Sequence, residues 1–314
     1  HGIHPCQRCP CLSRNPKRNS YPMQSSSLTG DAGTTAVTIM ALLNYLATDK
    51  DPKAQQCLDQ AVDNLLELVR KGDASPSDQA STLVERKLGP AVNTALVAQA
   101  LAKVYLELPS NDRGKQKVEQ ALDICLGELN ENHDRYLKST AGWANILQAT
   151  ACLVAWEYAQ LCGRQTDSRK LDELRACLTG IFNEAANTFD LTRAAGINLY
   201  SFASALRANA KTAGAALRIL PPDMASKPKG SRYDRAGRES ARGNPRYLSA
   251  SEPHSTPTEF DYLSDPIYKH LVTHMEKEKA LALCQAYRKN EKLLERLDSD
   301  NALLRGFGNN GGEE

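Results

Sequence analysis

Aromatic side chains make up only 6% of this 314-residue sequence, and no stretch stays apolar for the roughly 20 residues that a membrane span needs. The longest uncharged stretch, Ser139 to Trp156, is interrupted by Ser139, Thr140, Asn145, Gln148 and Thr150, which excludes it as a span. No apolar signal-peptide segment opens the chain, and the first residue is His1, so the sequence assigns no compartment. Charge of one sign is lacking as well. Its 39 basic and 37 acidic side chains leave a formal net charge of +2, with no global field to draw the protein onto nucleic acid or anionic lipid. There is no glycine-rich phosphate loop after a strand and no serine-nucleophile elbow. The nine cysteines do not form a disulfide framework: Cys57, Cys125, Cys152, Cys162, Cys177 and Cys284 are scattered singly through helical patterns, as reduced core residues are.

Hydrophobic residues at 41% and charged residues at 24% are ordinary for a globular protein able to bury a core. Residues 1–22, rich in Cys, Pro, Arg and Asn, cannot contribute to it and read as disordered or foreign sequence. Over residues 23–220 two kinds of helix alternate. One kind is amphipathic, with apolar residues at i, i+3, i+4 and i+7. Ala54, Cys57, Leu58, Ala61, Val62, Leu65, Leu66 and Val69 make one such stripe, Val118, Ala121, Leu122, Cys125, Leu126 and Leu129 a second, and Leu171, Leu174, Leu178, Ile181, Phe182 and Ala185 a third. The other kind is apolar almost all round: TTAVTIMALLNYLA from Thr34, NTALVAQALAKVYLEL from Asn93, GWANILQATACLVAWEYAQLCG from Gly142 and AGINLYSFASALRANA from Ala195. A helix without a polar face needs cover on every side, so these segments form an inner layer.

The inner segments begin near Thr34, Val92, Trp143 and Gly196, at spacings of 58, 51 and 53 residues. A two-helix repeat of that period predicts αα-hairpins in which each unit covers its neighbour. The outer stripes share residues too: LDQAVDNLL from Leu58 and VEQALDICL from Val118 agree at Gln, Ala, Asp and the final Leu. The fold class expected is therefore all-α, with inner apolar and outer amphipathic helices in a partial or complete ring, an α/α-toroid. Residues 221–259 carry six prolines and a run of arginines and read as a flexible insert, longer than an ordinary loop. Residues 260–314 resume as a strongly charged surface helix and end on GFGNNGGEE, a turn that normally leads into another element, so the native sequence is expected to continue.

On TTAVTIMALLNYL, RKLGPAVNTALVAQALAKV, GWANILQ, AAGINLYSFASALRA and GFGNNGGEE, the chain resembles the bacterial prenyltransferase or squalene-oxidase repeat-containing proteins, a branch of the terpenoid-cyclase toroids. The resemblance covers about Ser25 to Ala216 and resumes at Phe260. It implies further toroid helices after GFGNNGGEE and a central apolar cavity that receives isoprenoid or other hydrophobic chains. Its enzymes' signatures are missing. The nearest approach to the D-x-D-D acid motif is Asp298, Ser299, Asp300 and Asn301, which lacks the last Asp. The Gln-and-Trp repeat motif is absent, as is the Asp, Cys and His zinc set of the protein prenyltransferases.

Candidate ligand contacts are Trp143, Asn145, Gln148, Trp156 and Tyr158 on the third inner segment, and Asn198 and Tyr200 on the fourth, because polar groups on an inner helix need partners that a ligand or cavity water can supply. The same groups, with Glu157, also fit plain packing against neighbouring hairpins. Asp31 and Asn93 read as helix-start caps. Cys6, Cys9 and Cys11 with His1 and His4 are too compressed for a familiar zinc finger. His270 and His274 lack the Glu of H-E-x-x-H and read as surface histidines. Arg235, Arg238, Arg242 and Arg246 read as a solvated stripe. No catalytic residue, metal site or cofactor is assigned. The expectation is a non-catalytic binding or interaction module for an apolar small molecule or a partner protein. A terpenoid-type enzyme with its catalytic residues beyond Glu314 is the alternative.

Overall fold

The computed structural model describes residues 31–74, 83–109, 112–134, 144–184, 186, 188–225 and 262–299. Trp143, the N-terminal Cys and His residues, the arginine stripe, Asp300 and the terminal GFGNNGGEE lie outside them. The described residues form eleven helices and one two-stranded ribbon, so the protein is all-α in character. In chain order these are α1 (Ala32–Leu46), α2 (Pro52–Lys71), α3 (Leu83–Leu88), α4 (Val92–Glu107), α5 (Arg113–Glu131), α6 (Asn145–Leu161), α7 (Ser168–Gly180), β1 (Phe182–Asn183), β2 (Thr188–Phe189), α8 (Asn198–Leu217), α9 (Pro222–Ala225), α10 (Pro266–Val272) and α11 (Lys277–Ser299).

The inner layer is a row in which α1 packs on α4, α4 on α6 and α6 on α8, while α2, α5 and α7 pack on them from outside. Cross-contacts set the direction of the row. Ala91 N–H donates to Gln148 Oε1 at 2.7 Å, Gln99 Nε2 to Ala151 O at 2.9 Å and Cys162 Sγ to Ala102 O at 3.4 Å, so early residues of α4 meet early residues of α6 and late meet late. Thr150 Oγ1 with Ser204 Oγ at 2.8 Å and Gln160 with Lys211 at 3.3 Å do the same for α6 and α8. The inner helices therefore run parallel, as αα-hairpin repeats require. Their interface is built from small side chains, with Ala95, Ala98, Ala100, Ala102, Ala155 and Ala159 wholly buried, which lets the helix backbones approach closely.

Inner and outer helices start by different chemistry. The outer helices begin in water on aspartate caps: Asp51 accepts from Lys53 N–H at 2.8 Å, Asp112 from Gly114 at 2.6 Å and Asp167 from Arg169 at 3.0 Å, each satisfying a donor that helix geometry leaves free. α4, α6 and α8 follow Ala91, Ala144 and Ile197 with no side-chain cap. Neighbouring hairpins serve instead: Gln148 takes Ala91 N–H, Lys87 O takes Ala144 N–H at 2.7 Å and Arg193 O takes Ile146 N–H at 3.1 Å. Asp31 caps α1 as expected, accepting Thr34 N–H at 2.8 Å. Asn93 does not cap α4. It lies inside the first turn, and its Nδ2 donates to Glu85 Oε1 at 3.0 Å and toward Asp31 Oδ1 at 3.4 Å.

Two further expectations change. The sequence pattern carries the third outer stripe through Ala185, but α7 stops at Gly180. Phe182 turns into the ribbon, where its ring lies 5.0 Å from Phe189, which in turn meets Phe202 of α8 edge-on. The charged helix α11 lies on the surface but is firmly docked. Its early residues Ala280, Leu283, Cys284 and Tyr287 form a core with Ala216, Leu220, Ile267 and Leu271. Asn209 Nδ2 reaches Ala286 O at 2.5 Å and Asn290 Oδ1 at 2.9 Å, so α11 runs antiparallel to α8 and supplies the outer helix of a fourth hairpin.

Candidate functional site

Helices α1, α6 and α8 of the inner layer each leave one stripe incompletely covered, and that stripe is mostly apolar. On α6 it is Leu147, Ala151, Val154, Tyr158 and Leu161, spaced by four, three, four and three residues, one line down a helix. Leu161 at its end is 67% exposed. On α8 the line is Leu199, Ala203, Leu206, Ala210 and Leu217, and on α1 it is Val37, Ala41 and Tyr45, with the first and last of these 49% and 44% exposed. α4, covered by neighbours on both flanks, opens only at Leu96, Lys103 and its C-terminal end. Lys103 Nζ sits 5.3 Å from the Tyr158 ring centroid, which joins the open lines of α4 and α6. Such a surface can bury an apolar group, and among the described residues along these lines there is no nucleophile paired with a base.

The predicted contact residues that the structure describes fall in four places. Tyr158 lies on the open line of α6. Asn145 and Gln148 are buried at the N-terminal end of the same helix, about 15 to 20 Å along the axis from Tyr158, where they join a polar layer. Arg193 Nε donates to Asn145 Oδ1 at 3.1 Å, its Nη1 lies 3.0 Å from Cys177 Sγ, and Gln148 holds Ala91. Asn93 Oδ1, Gln148 Nε2 and Arg193 Nη2 have no hydrogen-bond partner there, and each such buried atom costs about 1–3 kcal/mol unless water or a ligand meets it. Trp156 faces the opposite side of α6, 5% exposed, with its ring 5.3 Å from that of His133. Asn198 and Tyr200 are half-buried in the first turn of α8, on either flank of its open line. The structure thus does not gather these side chains into one cluster.

Glu157, 8% exposed, sits between two guanidinium groups, at 3.1 Å from Arg175 Nη2 and 2.7 Å from Arg207 Nη2. This ion triad ties α6 to α7 and α8. The buried thiols are inert, since burial pushes Cys125 and Cys152 up to about 12. Cys57, expected in the core, is exposed, whereas Cys162 and Cys284 are buried as expected. His270 Nε2 donates to Ile219 O at 3.2 Å and its ring lies 4.7 Å from that of His274 between centroids, an arrangement of helix α10 with the end of α8.

Sequence reasoning named Tyr158 but missed Leu147, Val154, Leu199 and Leu206 as particular positions. On a helix that is apolar all round, no residue pattern marks the line that stays open. No protein family, curated protein or solved structure matches the chain.

Proposed function

We propose that this protein is a non-catalytic binding module built from αα-hairpins, which takes an apolar ligand against the open lines of its inner helices. The observation that carries this is the repetition of an uncovered apolar stripe on α1, α6 and α8 in a parallel row joined through α4. Leu161 and Leu217, at the C-terminal ends of α6 and α8, and Val37 and Tyr45 of α1 are all exposed along these lines, and exposed apolar surface that recurs on several helices of one row marks an interaction site. The resemblance to terpenoid-cyclase toroids supports an isoprenoid-like chain as that ligand, with the row of inner helices continuing into a ring. Each ligand methylene buried against Leu147, Val154 and Leu199 would contribute about 0.8 kcal/mol before ordering costs.

Native mass spectrometry with lipid extraction tests the reading on wild type and on Val154→Glu. Val154 is only partly buried, so a glutamate there leaves the helix intact while placing a charge on the open line. A copurifying apolar compound that the variant loses supports the proposal. A wild-type protein that carries nothing apolar and takes up no added long-chain isoprenoid would overturn it.

A further inference from the structure

We propose a divalent-cation site at the outer edge of the second and third hairpins, formed by His133, Asp134 and Glu173. A ring nitrogen of His133 and one carboxylate oxygen each from Asp134 and Glu173 lie within 4.8 Å of one another. The three come from two separate places in the fold. His133 and Asp134 follow the C-terminal end of α5, and Glu173 is on α7.

The histidine supplies the second, independent observation. It is 4% exposed, its Nδ1 lies 3.1 Å from Asp134 Oδ1, and its Nε2 is buried with no hydrogen-bond partner. The nitrogen that faces a carboxylate oxygen is Nδ1, and a metal ion there would bind it with the ring proton on Nε2. The ring is also held in place, by Trp156 at 5.3 Å between ring centroids. The two carboxylates are the adjustable part, with side chains 72% and 40% exposed. Their oxygens can rotate inward to the roughly 3.5 Å donor separations that follow from metal bonds of about 2.1 Å. Glu173 is engaged by Arg169 at 2.9 Å, but that arginine is 86% exposed, and an exposed i,i+4 pair yields readily.

One imidazole nitrogen and two carboxylate oxygens suit a first-row divalent ion such as Mn²⁺ or Zn²⁺, with the remaining positions filled by water. Two negative charges against two positive ones leave the site neutral. Bound there, the ion would clamp the end of α5 to α7 over the Trp156 side of α6, so it would act on stability and not on the apolar face.

The test titrates chelator-treated full-length protein with Mn²⁺, which prefers oxygen to thiolate and so stays off Cys6, Cys9 and Cys11. Binding is read by electron paramagnetic resonance and by relaxation of the Trp156 indole N–H resonance. Wild type is expected to bind one ion near Trp156 and to gain about 5 °C in Tm at a hundredfold excess over Kd. Glu173→Gln, at a half-exposed position whose loss leaves the fold intact, is expected to weaken binding at least tenfold without changing the metal-free Tm. His133→Gln is expected to abolish it. No binding at millimolar Mn²⁺, or binding unchanged in Glu173→Gln, overturns the proposal.

Discussion

Glu157 and Asp265 are the two carboxylates on which separate parts of this fold depend. Replacing Glu157 by Gln leaves Arg175 and Arg207 facing a neutral group, and the expected loss is about 1–3 kcal/mol by chemical denaturation, reduced from a fully buried pair because Arg207 reaches solvent. Asp265 caps α10 through Ile267 N–H at 2.7 Å and pairs with Arg288 at 2.6 and 3.1 Å. Burial pulls its carboxyl upward, but Arg288 and the backbone donors outweigh burial and hold it below its ordinary value. A depressed carboxylate contributes stability that is complete above the unfolded value and is lost as pH falls through the folded one. Wild type should therefore lose stability more steeply than Asp265→Asn below about pH 4, measured as the denaturant midpoint at successive pH values. An equal slope in both would remove Asp265 from the acid response. Thiol labelling at neutral pH should modify Cys57 and leave Cys125 and Cys152 untouched until the protein unfolds, as peptide mapping would report.

Two glycines test the element-scale account with opposite signs. Gly89, between α3 and α4, has φ +122°, and a Cβ on it would strike the Gln148 side chain that caps Ala91. Gly89→Ala is expected to cost about 2–4 kcal/mol, from backbone strain and from displacing that amide. Gly127 lies inside α5 with nothing within 4 Å of a built Cβ, so Gly127→Ala should stabilise by about 0.4–1 kcal/mol. Thermal unfolding of the two variants decides both. The elements themselves were largely legible in the sequence. Alternation between apolar and amphipathic segments placed α1, α2, α4, α5, α6, α7 and α8, because packing in two layers leaves that mark on composition. Phe182 and Phe189 were not legible, since a two-residue ribbon has no period to read. Nor was the capping of α4 and α6 by Gln148, Lys87 and Arg193, because contacts between residues so far apart in the chain have no local signature.

At the scale of the molecule, the parallel row of inner helices is what the period of fifty-odd residues requires, and α11 completes a fourth hairpin across the insert. Its charge marks it as a surface helix, yet Ala280, Leu283, Cys284 and Tyr287 recur at the spacing of a buried stripe. The candidate site was only partly legible: Tyr158 lies on the open line, while Asn145, Gln148 and Trp156 point into the fold. Periodicity identifies faces that are polar, and here the proposed binding face is marked by exposure alone. The measurement that bears most directly on it is photocrosslinking with a diazirine-bearing isoprenoid alcohol, with the modified residues mapped by mass spectrometry. The account predicts adducts at Leu147, Val154, Tyr158, Leu199 and Leu206, competed away by unlabelled isoprenoid. Adducts confined to α2, α5 or α7, or labelling that no competitor reduces, would contradict it.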